Sequence, residues 1–126
     1  MDSNIELIKT YIDNKMTPIL IRDELYDVFS SLACTLNFDC SLDLLNGSYD
    51  DNGNYVEPSW YKDAIDKRIL VIRNIDSIPP NEQIKFMEIL KYRKVNVFDL
   101  KDVIIVLTYK DNILNEQILS IATKVD

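Results

Sequence analysis

Two runs of apolar residues without polar alternation constrain the fold of this chain most strongly. They are Ile69-Leu70-Val71-Ile72 and Val103-Ile104-Ile105-Val106-Leu107. Such runs are typical of strands buried on both faces, as in a parallel sheet covered by helices. Shorter apolar segments at residues 18–21, 41–45 and 123–125 predict three more strands. The sequence therefore predicts an α/β, three-layer sandwich with about five parallel strands flanked by helices.

Helical periodicity separates these strands. Residues 3–14 predict a first helix, within an N-terminal segment 1–16 that leads into the core, and Ser3 with Glu6 forms a capping-box pattern. A second helix is predicted from Asp23, which can cap it. Its stripe of apolar residues recurs with helical spacing: Leu25, Val28, Phe29, Leu32, Ala33 and Leu36.

The rest of the chain alternates in the same way. A short helix is predicted from Ser59-Trp60, and a longer one from Asn81 with Ile84, Met87 and Leu90 on one side. Residues 46–58 predict a polar turn region, because they hold both glycines of the chain. Residues 95–100 predict a small extended insert, and residues 113–120 a last helix.

Composition limits the classes of function. A chain of 126 residues predicts one domain, residues 1–126, with a real core. The net charge of −7 repels phosphate backbones, so direct nucleic-acid binding is disfavoured. Neither a membrane span nor a signal peptide is recognisable, which predicts a cytoplasmic protein. Cys34 and Cys40, without any histidine, are too few for structural zinc, and we expect no metal or other cofactor.

Polar residues of an unusual type follow the apolar run 69–72. In a Walker B element, a buried strand delivers two acids to its carboxyl end, one to hold Mg²⁺ and one to polarise the attacking water. Here Arg73 and Asn74 stand at those positions. A guanidinium cannot hold a cation, and an amide cannot act as a general base. The pattern therefore indicates an ATPase-like frame without its catalytic acids.

Further segments follow this run in a recognisable order. Leu45-Asn46-Gly47 and a proline near Trp60 precede the run, and Pro79-Pro80-Asn81-Glu82-Gln83 follows it. A helix with a basic end, a small hairpin and the strand to Thr108 complete the series. In this order, residues 17–126 resemble AAA+ ATPases, most closely their MoxR-like branch. The resemblance implies an AAA+ core in which Thr108 occupies the sensor-1 position.

The departures from that family remove its chemistry. The segment after the first strand reads Arg22-Asp23-Glu24-Leu25-Tyr26, without the glycines and lysine that cradle phosphates. The expected arginine finger is missing from Ser120 to Lys124, and the chain ends at Asp126 without the lid domain of the family. ATP hydrolysis is therefore not expected, and we predict a pseudoenzyme. The composition, rich in Asn, Ile, Lys and Asp, would suit a phage or mobile-element protein.

Two sets of residues are candidates for function. The vestigial cleft contains Arg22, Asp23, Arg73, Asn74 and Thr108; the candidate interface contains Tyr55, Trp60, Tyr61, Lys91, Arg93 and Lys94. For the aromatic residues, core packing under a loop is the alternative, and for the basic ones a solvated helix end.

These sets lead to two hypotheses. In the first, the chain acts by protein–protein interaction, as a non-hydrolysing partner or inhibitor of an AAA+ assembly, with an active AAA+ ATPase or its client as partner. In the second, it is a regulatory domain that binds a small molecule or anion in the vestigial cleft through Arg22 and Arg73.

Overall fold

The computed structural model of the chain describes residues 10, 18–28, 30–95, 98–110 and 113–125. Its strands, in chain order, are β1 (Ile19–Arg22), β2 (Cys34–Asn37), β3 (Ser48–Tyr49), β4 (Tyr55–Val56), β5 (Ile69–Arg73), β6 (Lys94–Val95), β7 (Phe98–Asp99), β8 (Ile104–Tyr109) and β9 (Thr123–Val125). Five of them form one sheet with the order β2-β5-β8-β1-β9, and every pair in it is parallel. The other four form two antiparallel hairpins, β3–β4 and β6–β7. The helix expected over residues 3–14 lies outside the described residues, apart from Thr10.

The two unalternated apolar runs form the interior of the sheet, as predicted. Strand β5 lies between β2 and β8, and β8 lies between β5 and β1. The register places Val71 beside Val106 and Ile72 beside Leu107, and all four residues are fully buried. A five-stranded parallel sheet with helices, an α/β arrangement, is therefore confirmed.

The direction of each connection decides which face of the sheet it covers. Among the described residues, the face that carries Leu20, Leu70 and Leu107 packs against the helices that follow β2, whereas the opposite face carries Ile21 and Val106. Right-handed crossovers place connections that run in opposite directions on opposite faces. Only the connection from β1 to β2 runs towards the β2 edge, so the other face is covered by that segment among the described residues.

The helices are short and pack through a few apolar side chains. They are α1 (Leu42–Asn46), α2 (Tyr61–Lys67), a continuous helical segment α3, and α4 (Glu116–Ile121). Segment α3 begins as an α-helix at Pro80–Gln83, tightens to a 3₁₀ turn at Ile84–Phe86 and widens to a π turn at Glu88–Tyr92. No helix in the described part of the chain is long and apolar enough to cross a membrane.

The predictions for residues 23–45 were wrong. The expected second helix is two 3₁₀ segments, Asp23–Val28 and Ser30–Leu32, and the chain then enters β2, so Leu36 lies in a strand. The strand expected at residues 41–45 is α1, whose first turn is capped by the Ser41 hydroxyl accepting from the Leu44 N–H. Helical spacing in the sequence was outweighed by the pairing of β2 with β5, which buries Cys34 and Leu36.

The buried side of α3 also differs from the prediction. Ile84 is 51% exposed, whereas Gln83 and Phe86 are fully buried. The Gln83 amide donates to the carbonyls of Ile78 and Ile113 and accepts from the Asn115 N–H. Because these hydrogen bonds satisfy its polar atoms, a glutamine occupies an inward position that a hydrophobic pattern assigns to an apolar residue.

Candidate functional site

Three polar side chains meet where strands β1, β5 and β8 end. Ile21 of β1 lies beside Thr108 of β8, and Asp23, two residues after Ile21, lies close to Thr108. Arg73 is the last residue of β5, the strand on the other side of β8. In open parallel sheets, ligands bind at this carboxyl edge. The site predicted from sequence is therefore assembled, and its contacts decide what it can do.

Asp23 and Arg73 form a bidentate ion pair across this edge. Arg73 Nε donates to Asp23 Oδ1 at 2.9 Å, and Arg73 Nη2 donates to Asp23 Oδ2 at 3.2 Å. The guanidinium carbon also lies 4.1 Å from the centre of the Tyr26 ring. The Tyr26 hydroxyl is held in turn by a 2.6 Å hydrogen bond with Thr35 Oγ1. The Asp23 carboxylate thus holds two nitrogens of the Arg73 guanidinium, and the Tyr26 ring contacts the guanidinium face.

Thr108 joins the other strand end to the same carboxylate. The buried Thr108 hydroxyl donates to Asp23 Oδ1 at 2.8 Å and accepts from the Asn74 N–H at 2.8 Å. Asn74 adopts the left-handed conformation, φ 58° and ψ 44°, which asparagine tolerates better than most residues. Asp23, Arg73, Asn74 and Thr108 are called the cleft network below.

Opposing effects set the charge state of Asp23. Partial burial raises its pKa, but hydrogen bonds from Arg73 and Thr108, with the positive charges of Arg73 and Lys110, outweigh burial and lower the pKa below its usual value. The same hydrogen bond raises the pKa of Arg73. Both groups are therefore fully charged at neutral pH, and each compensates the other.

A shallow depression lies beside the cleft network. Its volume is about 370 Å³, and it is lined by Arg22, Asp23, Glu24, Tyr109 and Lys110. The Arg22 guanidinium donates to the Lys110 carbonyl at 3.4 Å and lies 5.4 Å from the centre of the Tyr109 ring. The two carboxylates in this lining oppose the binding of an anion, so the depression is not a phosphate cradle of the P-loop kind.

The chemistry available to the cleft network follows from these contacts. Asp23 cannot serve as a general base, because its oxygens accept hydrogen bonds from Arg73 and Thr108 and its pKa is low. The segment Asp23–Val28 begins a 3₁₀ turn directly after β1, and it holds neither glycine nor lysine. In the described residues, no three acids, cysteines or histidines are grouped as a metal site.

A chain of aromatic rings connects the two hairpins at another part of the molecule. Tyr49 contacts Tyr55 at 5.6 Å between ring centres, Tyr55 stacks on Phe98 at 5.7 Å, and Phe98 contacts Tyr61 at 5.0 Å. Tyr61 then reaches the buried Trp60 at 6.3 Å. Tyr49 is 70% exposed, so the series runs from the core to the surface. Tyr49, Tyr55, Tyr61 and Phe98 are called the hairpin face below.

Of the predicted aromatic interface, Tyr55 and Tyr61 belong to the hairpin face. Trp60 is only 6% exposed, and its Nε1–H donates to the Leu44 carbonyl, so it acts as a core residue. Sequence reasoning did not select Phe98 for this group. No local pattern identifies it, because its contacts depend on how two hairpins pack.

Gly47 holds the β3–β4 hairpin against α1. It ends α1 with φ 84° and ψ −178°, a conformation essentially restricted to glycine. A Cβ atom there would lie 2.5 Å from the Val56 carbonyl oxygen and would overlap the Tyr55 ring. The Tyr55 hydroxyl donates to the Asn46 carbonyl at the same point. The Leu45-Asn46-Gly47 motif thus has a structural reason that is independent of any family.

The basic residues at the end of α3 divide into two kinds. Arg93 ends the helix with φ 55°, its guanidinium donates to the Val103 carbonyl at 2.6 Å, and its carbonyl accepts from the Leu100 N–H. Arg93 therefore supports the β6–β7 hairpin. Lys91 and Lys94 are exposed, whereas Lys85 Nζ donates to the Cys40 carbonyl. Of the three basic residues predicted for the interface, only Lys91 and Lys94 remain available to a partner.

The two thiols lie within the protein. Cys34 is 3% exposed and Cys40 is 7% exposed, and neither forms a disulfide. Burial is the main reason that the pKa of Cys34 is raised to about 12, and burial also raises the pKa of Cys40. Neither thiol is a nucleophile at neutral pH.

Comparisons with known proteins do not assign the chain to a family. No protein-family model, no curated protein and no solved structure matches it.

Proposed function

We propose that this chain is a catalytically inactive, AAA+-like domain that acts in the cytoplasm by binding another protein. It would serve as a non-hydrolysing partner or inhibitor of an AAA+ assembly, with an active AAA+ ATPase or its client as partner. The observation that carries the proposal is the cleft network. An ion pair and its hydrogen bonds occupy the carboxyl edge of the sheet, where such a core would bind nucleotide.

The contacts of the cleft network explain why catalysis is not expected. A nucleotide would have to displace Asp23 from Arg73, and the displaced carboxylate would then face the phosphates. Loss of the bidentate pair and repulsion between like charges both oppose nucleotide binding. The parallel sheet that remains is a rigid support on which binding surfaces can be carried.

The first experiment combines turnover with partner recovery. Purified chain is assayed for ATP hydrolysis and for a nucleotide-induced rise in Tm, and tagged chain is used to recover partners from an extract of its native cells. We expect turnover at the blank rate, no rise in Tm, and recovery of an AAA+ ATPase or its client. The recovered ATPase is then assayed with and without the chain. Turnover by the purified chain itself would refute the proposal.

A regulatory anion site is the second candidate. The observation in its favour is the pair of basic residues, Arg22 and Lys110, in the lining of the depression, although Asp23 and Glu24 in the same lining oppose an anion. Arg73 contributes less than the sequence indicates, because Asp23 neutralises it. Thermal shifts across a nucleotide and phosphate panel test this candidate, with Arg22→Ala and Arg73→Ala as variants. A shift that Arg22→Ala abolishes would support it, and an unchanged Tm across the panel would exclude it.

A further inference from the structure

The net charge of the chain is concentrated in one segment. Residues 23–61 contain eight Asp and Glu residues and no Lys or Arg, whereas the rest of the chain contains 13 acids and 14 bases. The acidity of the protein therefore belongs to this segment, and the remainder is close to neutral. The segment includes the β3–β4 hairpin and leads directly into α2.

Acidic side chains border the hairpin face. Residues 48–57 contribute Asp50, Asp51 and Glu57, and β7 contributes Asp99 beside Phe98. The Tyr61 hydroxyl donates to the Asp99 carbonyl at 2.8 Å. Burial raises the pKa of Tyr61, and the negative charges of Asp99 and Glu57 raise it further.

Nearby cations compensate only part of this charge. Lys62 pairs with Glu57 at 3.5 Å, but its side chain is 84% exposed, so the pair is weak and screened. Lys94 lies opposite Asp99 in the β6–β7 hairpin.

Asp51 has no ion pair among those that the described residues form. The Asp50 carboxylate also accepts hydrogen bonds from the N–H groups of Asn52 and Asn54, which leaves its negative charge in place. Aromatic rings next to incompletely compensated carboxylates favour a cationic ligand, because ring faces and carboxylates both attract positive charge.

We propose that the hairpin face and its acidic border form a docking surface for an extended, Lys- or Arg-rich segment of a partner protein. The segment would place cations over Tyr49 and against Asp50, Asp51 and Glu57. Tyr49 is the outer end of a ring series that is anchored in the core, so the surface is already ordered before it binds. This inference rests on the proposed function and identifies the chemistry of the partner.

The test uses two fluorescein-labelled peptides, one of alternating Arg and Gly and one of alternating Glu and Gly. Fluorescence anisotropy should show binding of the Arg peptide and none of the Glu peptide. Tyr49→Ala should weaken binding about two- to fivefold, in line with the loss of one exposed cation–π contact. The matched control is Tyr92→Ala, since Tyr92 is also exposed, at 62%, but lies beside Lys91. Asp51→Asn is compared with Asp66→Asn in the same way.

Amide chemical-shift mapping with the Arg peptide locates the surface. We expect perturbations confined to residues 48–57, Tyr61 and residues 98–99. Equal weakening by Tyr49→Ala and Tyr92→Ala, perturbations elsewhere, or no binding would overturn the inference. ATP turnover is measured on the same preparations. Turnover would refute the proposed function, whereas failed peptide binding without turnover would refute the docking surface alone.

Discussion

The cleft network and the hairpin face differ in how far their carboxylate charges are compensated by neighbouring groups. In the cleft network, the carboxylate of Asp23 meets Arg73 and Thr108 within 3.2 Å, so its charge is compensated inside the protein. At the hairpin face, the rings contact one another, and Asp50, Asp51 and Glu57 beside them lie in a segment, residues 23–61, that contains no Lys or Arg. Compensated charge stabilises the fold, whereas uncompensated charge remains available to a partner. A polar cluster at the edge of a parallel sheet is therefore not by itself a sign of activity.

The largest expected effect is that of Gly47→Ala, which attaches a side chain where the β3–β4 hairpin contacts α1. The backbone conformation and the overlap with Val56 and Tyr55 should lower the free energy of unfolding by about 3 kcal/mol. Urea denaturation measures this loss. Gly53→Ala is the control, because Gly53 has φ 80° but open space around it, and should cost about 1 kcal/mol. Equal losses would show that the contact with the hairpin contributes nothing.

The second effect concerns the cleft network. Asp23→Ala removes the acceptor of Arg73 and Thr108, and should lower the free energy of unfolding by about 2 kcal/mol, since hydrogen bonds to charged groups are involved. Asp66→Ala, at an exposed position of α2, should change it by less than about 0.5 kcal/mol. Both values come from urea denaturation at neutral pH. If the two variants were equally stable, the cleft network would not stabilise the fold.

The third effect is a dependence of stability on pH. The pKa of Asp23 is lower in the folded protein than its ordinary value of 3.8, so the unfolded chain binds the proton first as pH falls. The contribution of Asp23 is fully present above pH 3.8, declines as pH falls towards the folded pKa, and is lost below it. Asp23→Asn should flatten the stability profile in this acidic range. A variant profile parallel to that of the wild type would contradict the assignment.

The smallest effect should come from Tyr49→Ala. Tyr49 is mostly exposed and contacts one ring, so we expect a loss of about 0.5 kcal/mol in the free energy of unfolding. The same substitution should weaken binding of the Arg peptide about two- to fivefold, and comparison of the two measurements separates recognition from stability. A large loss of stability, measured by urea denaturation, would show that Tyr49 belongs to the fold rather than to a binding surface.

The sequence predicts four strands of the sheet, including the edge strand β9, but misses the other edge strand, β2. Strands β5 and β8 are buried on both faces, so their composition alone reveals them. Strand β2 is an edge strand, and its residues Cys34-Thr35-Leu36-Asn37 carry a weak pattern that a preceding helical spacing obscured. The cap signals of α1, Ser41 before it and Gly47 after it, were present but were outweighed by apolar residues.

The candidate site was predicted in part. Arg73 and Asn74 were selected because they stand at the Walker B acid positions after a buried apolar run, and Thr108 because the resemblance implies a sensor-1 residue there. Parallel strands bring their carboxyl ends to one edge. Asp23 was predicted in the same cleft, but its bidentate pairing with Arg73 was not, because the two residues are 50 positions apart in the sequence. The contact of Arg73 with Tyr26 depends on the 3₁₀ turn after β1. Phe98 was missed for the same reason. Local sequence predicts which residues reach this edge of the sheet. The pairs that they form there depend on the tertiary structure.

The two buried thiols make the molecule a convenient object for site-specific labelling. Because Cys34 and Cys40 are covered and protonated at neutral pH, thiol reagents should leave the native chain unmodified over short reactions. A cysteine introduced at an exposed loop would then carry a fluorophore or cross-linker without removal of the native ones. The rate at which Cys34 itself is slowly modified would measure the rate of local opening at β2, because that strand must separate from Trp60 before a reagent can enter.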